Sequence, residues 1–135
     1  MSTDAHIEAE IQAKGLTAPR ITPADIEANI ASEHIFNAGM ADVAQKILDW
    51  TITDEEARQP RSPLDMVTIC VLVLRNGHRI VGVNEGPVSA ANFDAELGRK
   101  LARQKAVDQI WPLMGYELKE RLYQLDRAPH PLDRA

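Results

Sequence analysis

Cysteine is almost absent from this 135-residue chain: Cys70 stands alone, so no intrachain disulfide can staple the fold. A single thiol agrees with a reducing compartment. Aromatic residues make up only 4%, with two each of Phe, Tyr and Trp. The core must therefore be built from Ile, Val, Leu and Ala, with few aromatic anchors. An excess of basic charge is also missing: the formal net charge is −5, which disfavours non-specific adhesion to nucleic acid or anionic membrane while leaving room for a local basic patch. The opening residues, Met1 to His6, lack the basic and apolar regions of a signal peptide. The longest apolar stretch, Met66 to Leu74, is far short of a membrane span. A cytoplasmic protein is expected.

The recognisable catalytic signatures are missing too. The chain has no phosphate-cradling glycine loop, no Gly-x-Ser-x-Gly elbow and no paired-carboxylate signature. His6, His34, His78 and His130 are scattered, none at a metal-ligand spacing from another His, a Cys or an Asp. Neither an enzyme, a metal nor a cofactor is expected. Cys70 sits in an apolar run with nothing nearby to lower its pKa, which reads as an inert thiol.

What is present fits one modest core, with 44% hydrophobic and 26% charged residues. Residues 4–14 are polar apart from a stripe of Ile7 and Ile11, and Gly15 is placed to end a helix. With so little apolar surface, 1–18 is expected to be a flexible N-terminal segment. Thr22, Pro23 and Asp25 are the cap, first-turn proline and first-turn acid of a helix start. Ile26, Ile30, Ile35 and Phe36 extend its apolar content until Asn37 and Gly39 offer a stop. A second short helix is expected over 41–50, with Val43, Ile47, Leu48 and Trp50. Residues 51–65 read as a polar surface loop containing Pro60, Pro63 and an acidic run of Asp54, Glu55 and Glu56.

A β-branched run from Met66, then Asn76-Gly77, then Ile80, Val81 and Val83 is a strong hairpin signal. A two-residue loop would set Val73 opposite Ile80 and Leu72 opposite Val81. The first strand is apolar on both sides, so its second side needs a further layer, another strand or a second subunit, which hints at an oligomer. After Gly86-Pro87 a long helix carries Phe93, Leu97, Leu101, Val107 and Trp111 on one face. Gly98, Ala102, Ala106 and Ile110 form a second line at a spacing of four, whose small residues admit another backbone. Pro112 is expected to interrupt or end this helix, with Trp111 closing the core. Tyr116, Leu118, Leu122 and Leu125 allow a final amphipathic helix. The fold class is α+β: a β-hairpin packed on a long C-terminal helix with N-terminal helices, the sheet open to completion by oligomerisation. A single domain over 19–126 and a disordered tail over 127–135 complete the expected organisation.

Two stretches carry a resemblance. They are PRITPADIEANIASEHIFNA at 19–38, and TICVLVLRNG at 68–77 followed by NFDAELGRKLARQKAVDQIWPLMGYELKERL at 92–122. They resemble a family of small tailed-phage proteins of unassigned function, typified by gene product forty-nine of a coliphage and gene sixty-six of a Shigella phage. The resemblance implies a phage or prophage gene and carries no reaction with it. The chain departs from the family pattern after Asn76-Gly77, where His78 and the segment 82–87 stand in place of an aromatic residue and a Gly-Glu-Ser-Ala-Cys run. Size, architecture and an Asp-then-Gly-then-basic helix start are also similar to the anti-Thoeris nucleotide-sponge proteins of phages, which sequester signalling nucleotides at oligomer interfaces.

The chemistry-bearing cluster is Asn92, Asp94, Arg99, Lys100, Arg103 and Lys105. Arg99 and Arg103 share a helix face. Two guanidinium groups there suit a phosphate or diphosphate, with Asn92 or Asp94 reading a ribose or base. The plainer reading is a solvated helix surface with Asp94 and Glu96 at the positive end of the dipole. The expectation is a non-enzymatic phage accessory protein and homo-oligomer that captures a signalling nucleotide or other phosphorylated small molecule. The competing expectation is a protein-interaction module that uses the acidic surface and the loop at 51–65 on a host protein.

Overall fold

The computed structural model describes residues 3–61 and 63–127. In chain order the elements are α1 (Thr3–Ala13), α2 (Pro23–Ala28), β1 (Ile30–Asn37), α3 (Ala38–Leu48), α4 (Asp54–Ala57), β2 (Thr68–Leu74), β3 (Arg79–Asn84) and α5 (Ala95–Arg127). Short 3-10 turns occupy Leu64–Met66 and Ala90–Asn92. The chain forms two units, one over 30–109 and the other from the described parts of 1–29 and 110–135.

The sheet unit is an antiparallel sheet in the order β1-β2-β3, an α+β arrangement open at both edges. β1 corrects the sequence reading, which carried a helix through Ile35 and Phe36. The helix starts as expected: the Thr22 hydroxyl accepts from the Asp25 N–H at 3.1 Å, and the Asp25 carboxylate accepts from the Thr22 N–H at 2.9 Å. It ends at Ala28. From Ile30 the chain pairs with β2 because a strand that is apolar on both sides is stabilised by a neighbour, and this tertiary pairing outweighs a weak local helix preference. The register sets Phe36 opposite Ile69, His34 opposite Val71 and Ser32 opposite Val73, with a bulge between Ile30 and Ser32.

The hairpin forms, with a register one residue away from the two-residue expectation. Leu72 faces Ile80 and Val73 faces Arg79. The loop holds three residues, Arg75, Asn76 and Gly77. The Gly77 N–H donates to the Leu74 carbonyl and the Leu74 N–H to the His78 carbonyl, each at 2.9 Å. Gly77 lies at φ 88°, the left-handed residue that a three-residue loop of this kind needs. This register puts Leu72 and Ile80 on one buried side, where a one-residue slip would expose half of the pair.

The buried side carries Cys70, Leu72, Leu74, Ile80 and Thr68. The first half of α5 crosses it through the line of small residues. A Cβ built on Gly82 would lie 2.2 Å from the Ala102 carbonyl oxygen and 2.5 Å from the Ala106 nitrogen, so only glycine lets the helix backbone come this close. Ala102 and Ala106 are fully buried. At the β3 edge the Gln109 amide donates to the Val81 carbonyl at 2.7 Å, which caps one edge group. The expected loop at 51–65 contains α4, whose Thr53 hydroxyl accepts from the Glu56 N–H at 3.1 Å.

In the other unit, α1 ends at Gly15 (φ 67°). The Gly15 N–H donates to the Gln12 carbonyl and the Leu16 N–H to the Ile11 carbonyl, a Schellman stop. Arg20 grips Glu8 with two nitrogens at 2.5 and 2.7 Å, and its Nε reaches the Leu16 carbonyl at 3.2 Å. Contrary to the sequence reading, α5 runs unbroken through Pro112 to Arg127. Pro112 takes the N–H from the Asp108 carbonyl, but both residues are exposed, so that carbonyl is not buried without a partner and the lost bond costs little enough for the helix to continue. The tail expected to be disordered, with His130, lies outside the described residues from 128 onward.

Candidate functional site

Of the four residues proposed from sequence as a ligand site, two are engaged inside the fold. The Asp94 carboxylate accepts from the Leu97 N–H at 3.0 Å, and its carbonyl accepts from the Gly98 N–H at 2.9 Å, so it caps α5. The Arg103 Nε donates to Glu33 of β1 at 2.5 Å. Asn92 is exposed in the 3-10 turn before the helix. Arg99 is exposed and makes no ion pair or side-chain hydrogen bond among the described residues. Lys100 pairs with Glu96 at 3.4 Å, and Lys105 donates to Asn84 at 3.4 Å. An anion at this face would meet Arg99 directly and would compete with Glu33 for Arg103.

The side of the sheet turned away from α5 is different in kind. Alternation along the strands sends Phe36, Ile69 and Val83 to it in one row, His34, Val71 and Val81 in the next, and Ser32, Val73 and Arg79 in the third. Val81 is 49% exposed and Phe36 40%. Nearly all of the large side chains here are β-branched or aromatic, giving a low, flat apolar surface with Arg79 and His34 on its basic margin. Sequence reasoning found half of it, from the two-sided apolar character of β2. The contribution of Phe36 was missed because β1 was read as helix.

In the other unit a cleft of about 270 Å³ is walled by Ile7, Ile11, Ile21, Pro23 and Trp111, with Glu8 and Arg20 at its polar side. Trp111 is half-buried against this cleft, where the sequence reading had it closing the core. The Arg20 guanidinium holds the Glu8 carboxyl below its ordinary pKa. The pair thereby neutralises itself, and Asp4 stands beside the apolar walls as a further acidic group on the lining.

Cys70 is fully buried, and burial together with the nearby Glu33 charge pushes its thiol pKa up, away from nucleophilic use. Among the described residues no group of three or more His, Cys, Asp or Glu could hold a metal ion, and no helix is long and apolar enough to cross a membrane. In comparison with known proteins, the model of the phage protein (N4 Gp49/phage Sf6 gene 66) family matches residues 21–122. No curated protein and no solved structure matches the chain.

Proposed function

Because the chain belongs to the N4 Gp49/Sf6 gene 66 family of phage proteins, we propose that it is a phage accessory protein of the host bacterial cytoplasm that works by binding another protein, without catalysis. Its working surface in this reading is the outward face of the sheet. The observation that carries the proposal is that β2 is covered by α5 on one side while six apolar side chains, Phe36, Ile69, Val71, Val73, Val81 and Val83, reach solvent on the other. A contiguous apolar face of a few hundred Å² marks an interaction site more often than a solvated one. Arg79 and His34 on the margin suit a partner whose apolar patch is bordered by carboxylates.

The test is native mass spectrometry of the full chain purified from its bacterial host. The wild type is expected to carry one stoichiometric protein partner, and V81D with V83D to lose it while keeping the wild-type circular dichroism. Retention of the partner by the double aspartate variant contradicts the proposal.

A second reading is favoured by Arg99, exposed and one helical turn before Arg103. In this reading the two arginines capture a signalling nucleotide or another phosphorylated small molecule, as a counter-defence device at a subunit interface, with Asn92 and the uncommitted oxygen of Asp94 reading the sugar or base. A nucleotide mass that disappears in R99A/R103A, with folding intact, supports it. The same mass retained in that variant overturns it.

A further inference from the structure

Helix α3 is amphipathic in the reverse sense. Toward its own unit it makes polar contacts: Asp42 pairs with the largely buried Arg61 at 2.5 Å and with Lys46 at 2.9 Å. Gly39 is buried where a Cβ would strike the Asp65 carboxylate, and Asn37 caps the first turn by accepting from the Met40 N–H at 3.1 Å. Toward solvent the helix shows Met40 (68% exposed), Ala44, Ile47 (52%) and Leu48 (72%). Spacings of four, seven and eight residues put these on one stripe.

The stripe ends on Trp50, 93% exposed. Trp50 occupies the left-handed position of a Schellman stop, at φ 56°. Its N–H donates to the Ile47 carbonyl at 3.2 Å and the Thr51 N–H to the Lys46 carbonyl at 3.0 Å. Glycine is the favoured residue there. The chain instead holds its largest apolar side chain in a strained backbone and presents it to water, the kind of outlier that accompanies a binding role.

We propose that α3 is the contact helix of a homodimer, pairing antiparallel with α3 of a second copy about a two-fold axis at Ala44. The helix sequence is self-complementary about that residue. On the exposed stripe the axis sets Met40 opposite Leu48, and Ala44 opposite its own copy, where a small side chain permits close approach. It carries Trp50 to the level of Ala38 at the start of the partner helix. Asp49 arrives at the same end, where its charge meets the positive end of the partner's dipole. Area agrees with a second copy as the occupant. The exposed fractions of Met40, Ile47, Leu48 and Trp50 amount to nearly three whole large side chains, roughly 500 Å² per copy. Two copies bury about 1,000 Å², the size at which specific interfaces begin.

This surface differs from the sheet face, so the inference stands or falls separately from the binding proposal above. Sedimentation velocity over a dilution series tests it, on wild type, A44E, W50G and V81D. The wild type is expected to be a dimer, A44E a monomer because two carboxylates meet on the axis, and V81D still a dimer. W50G should weaken the dimer by roughly thirty-fold, the scale of a lost interface Trp. It should also raise the denaturation midpoint of the dilute monomer, which separates loss of contact from loss of fold. A wild-type monomer throughout the series, a dimer that survives both A44E and W50G, or a dimer abolished by V81D overturns the proposal. So does a monomer that binds a different protein through Trp50.

Discussion

Helices α3 and α5 both carry apolar residues four apart, yet one line is buried and the other is bare. In α5 the line is Gly98, Ala102 and Ala106, and the backbone of the helix rests on Gly82 of β3. In α3 the line is Met40, Ala44, Ile47 and Leu48, and it faces water while charged residues face the fold. Periodicity therefore says that a stripe exists, and residue size says what kind of neighbour it suits. Small residues accept the chain's own backbone at close range. Large ones that no described residue covers stand in water in the single chain.

Substitutions at equivalent points should divide sharply if this contrast is right. The largest effect is expected from G82V on the covered side, where a branched side chain would collide with helix backbone that has no rotamer to move aside. A loss of about 3 kcal/mol or more, or failure to fold, is expected in urea denaturation. On the bare side, W50G should stabilise the monomer by about 1 kcal/mol through relief of the left-handed strain. L48K should stay within about 0.5 kcal/mol of wild type in the same measurement, since its side chain already stands in water. If L48K costs as much as a core substitution, α3 is covered by its own chain and the contrast fails. R103A should cost less than about 1 kcal/mol, because the Glu33 pair is a third or more exposed on both partners.

The other unit adds a pH dependence with a definite sign. The Glu8 pKa is depressed in the folded chain by the Arg20 side chain. Its contribution is therefore fully present above the ordinary carboxylate pKa and is lost as the pH falls through the lowered folded value. Hydrogen-exchange protection along α1, corrected for the intrinsic rate at each pH, should fall over that acid window in the wild type. In E8Q the protection should already be low at neutral pH and show no such step.

Much of the fold was legible wherever one segment carried its own signal. The Thr22-Pro23-Asp25 start, the Asn76-Gly77 hairpin and the small-residue line of α5 each needed only local chemistry. β1 was not legible in that way, because its partner β2 lies more than thirty residues away along the chain and Ile35-Phe36 fit either a helix or a strand. The hairpin register was missed for a subtler reason. Asn-Gly serves both two- and three-residue loops, and the choice here coincides with the need to bury Leu72 with Ile80. Pro112 misled because its cost falls on an exposed carbonyl. At the candidate ligand site the sequence could pair Arg99 with Arg103 by spacing, but Glu33 reaches Arg103 only through β1. The plainer reading already puts Asp94 at the positive end of the helix dipole, where its cap is found.

The central claim is that the two bare apolar surfaces are covered when the protein works. Hydroxyl-radical footprinting tests it most directly, by comparing purified, dilute protein with the same chain inside infected cells. The account predicts that Phe36, Met40 and Trp50 are oxidised readily in the dilute protein and protected in the cell. Equal oxidation of all three in both settings would contradict it.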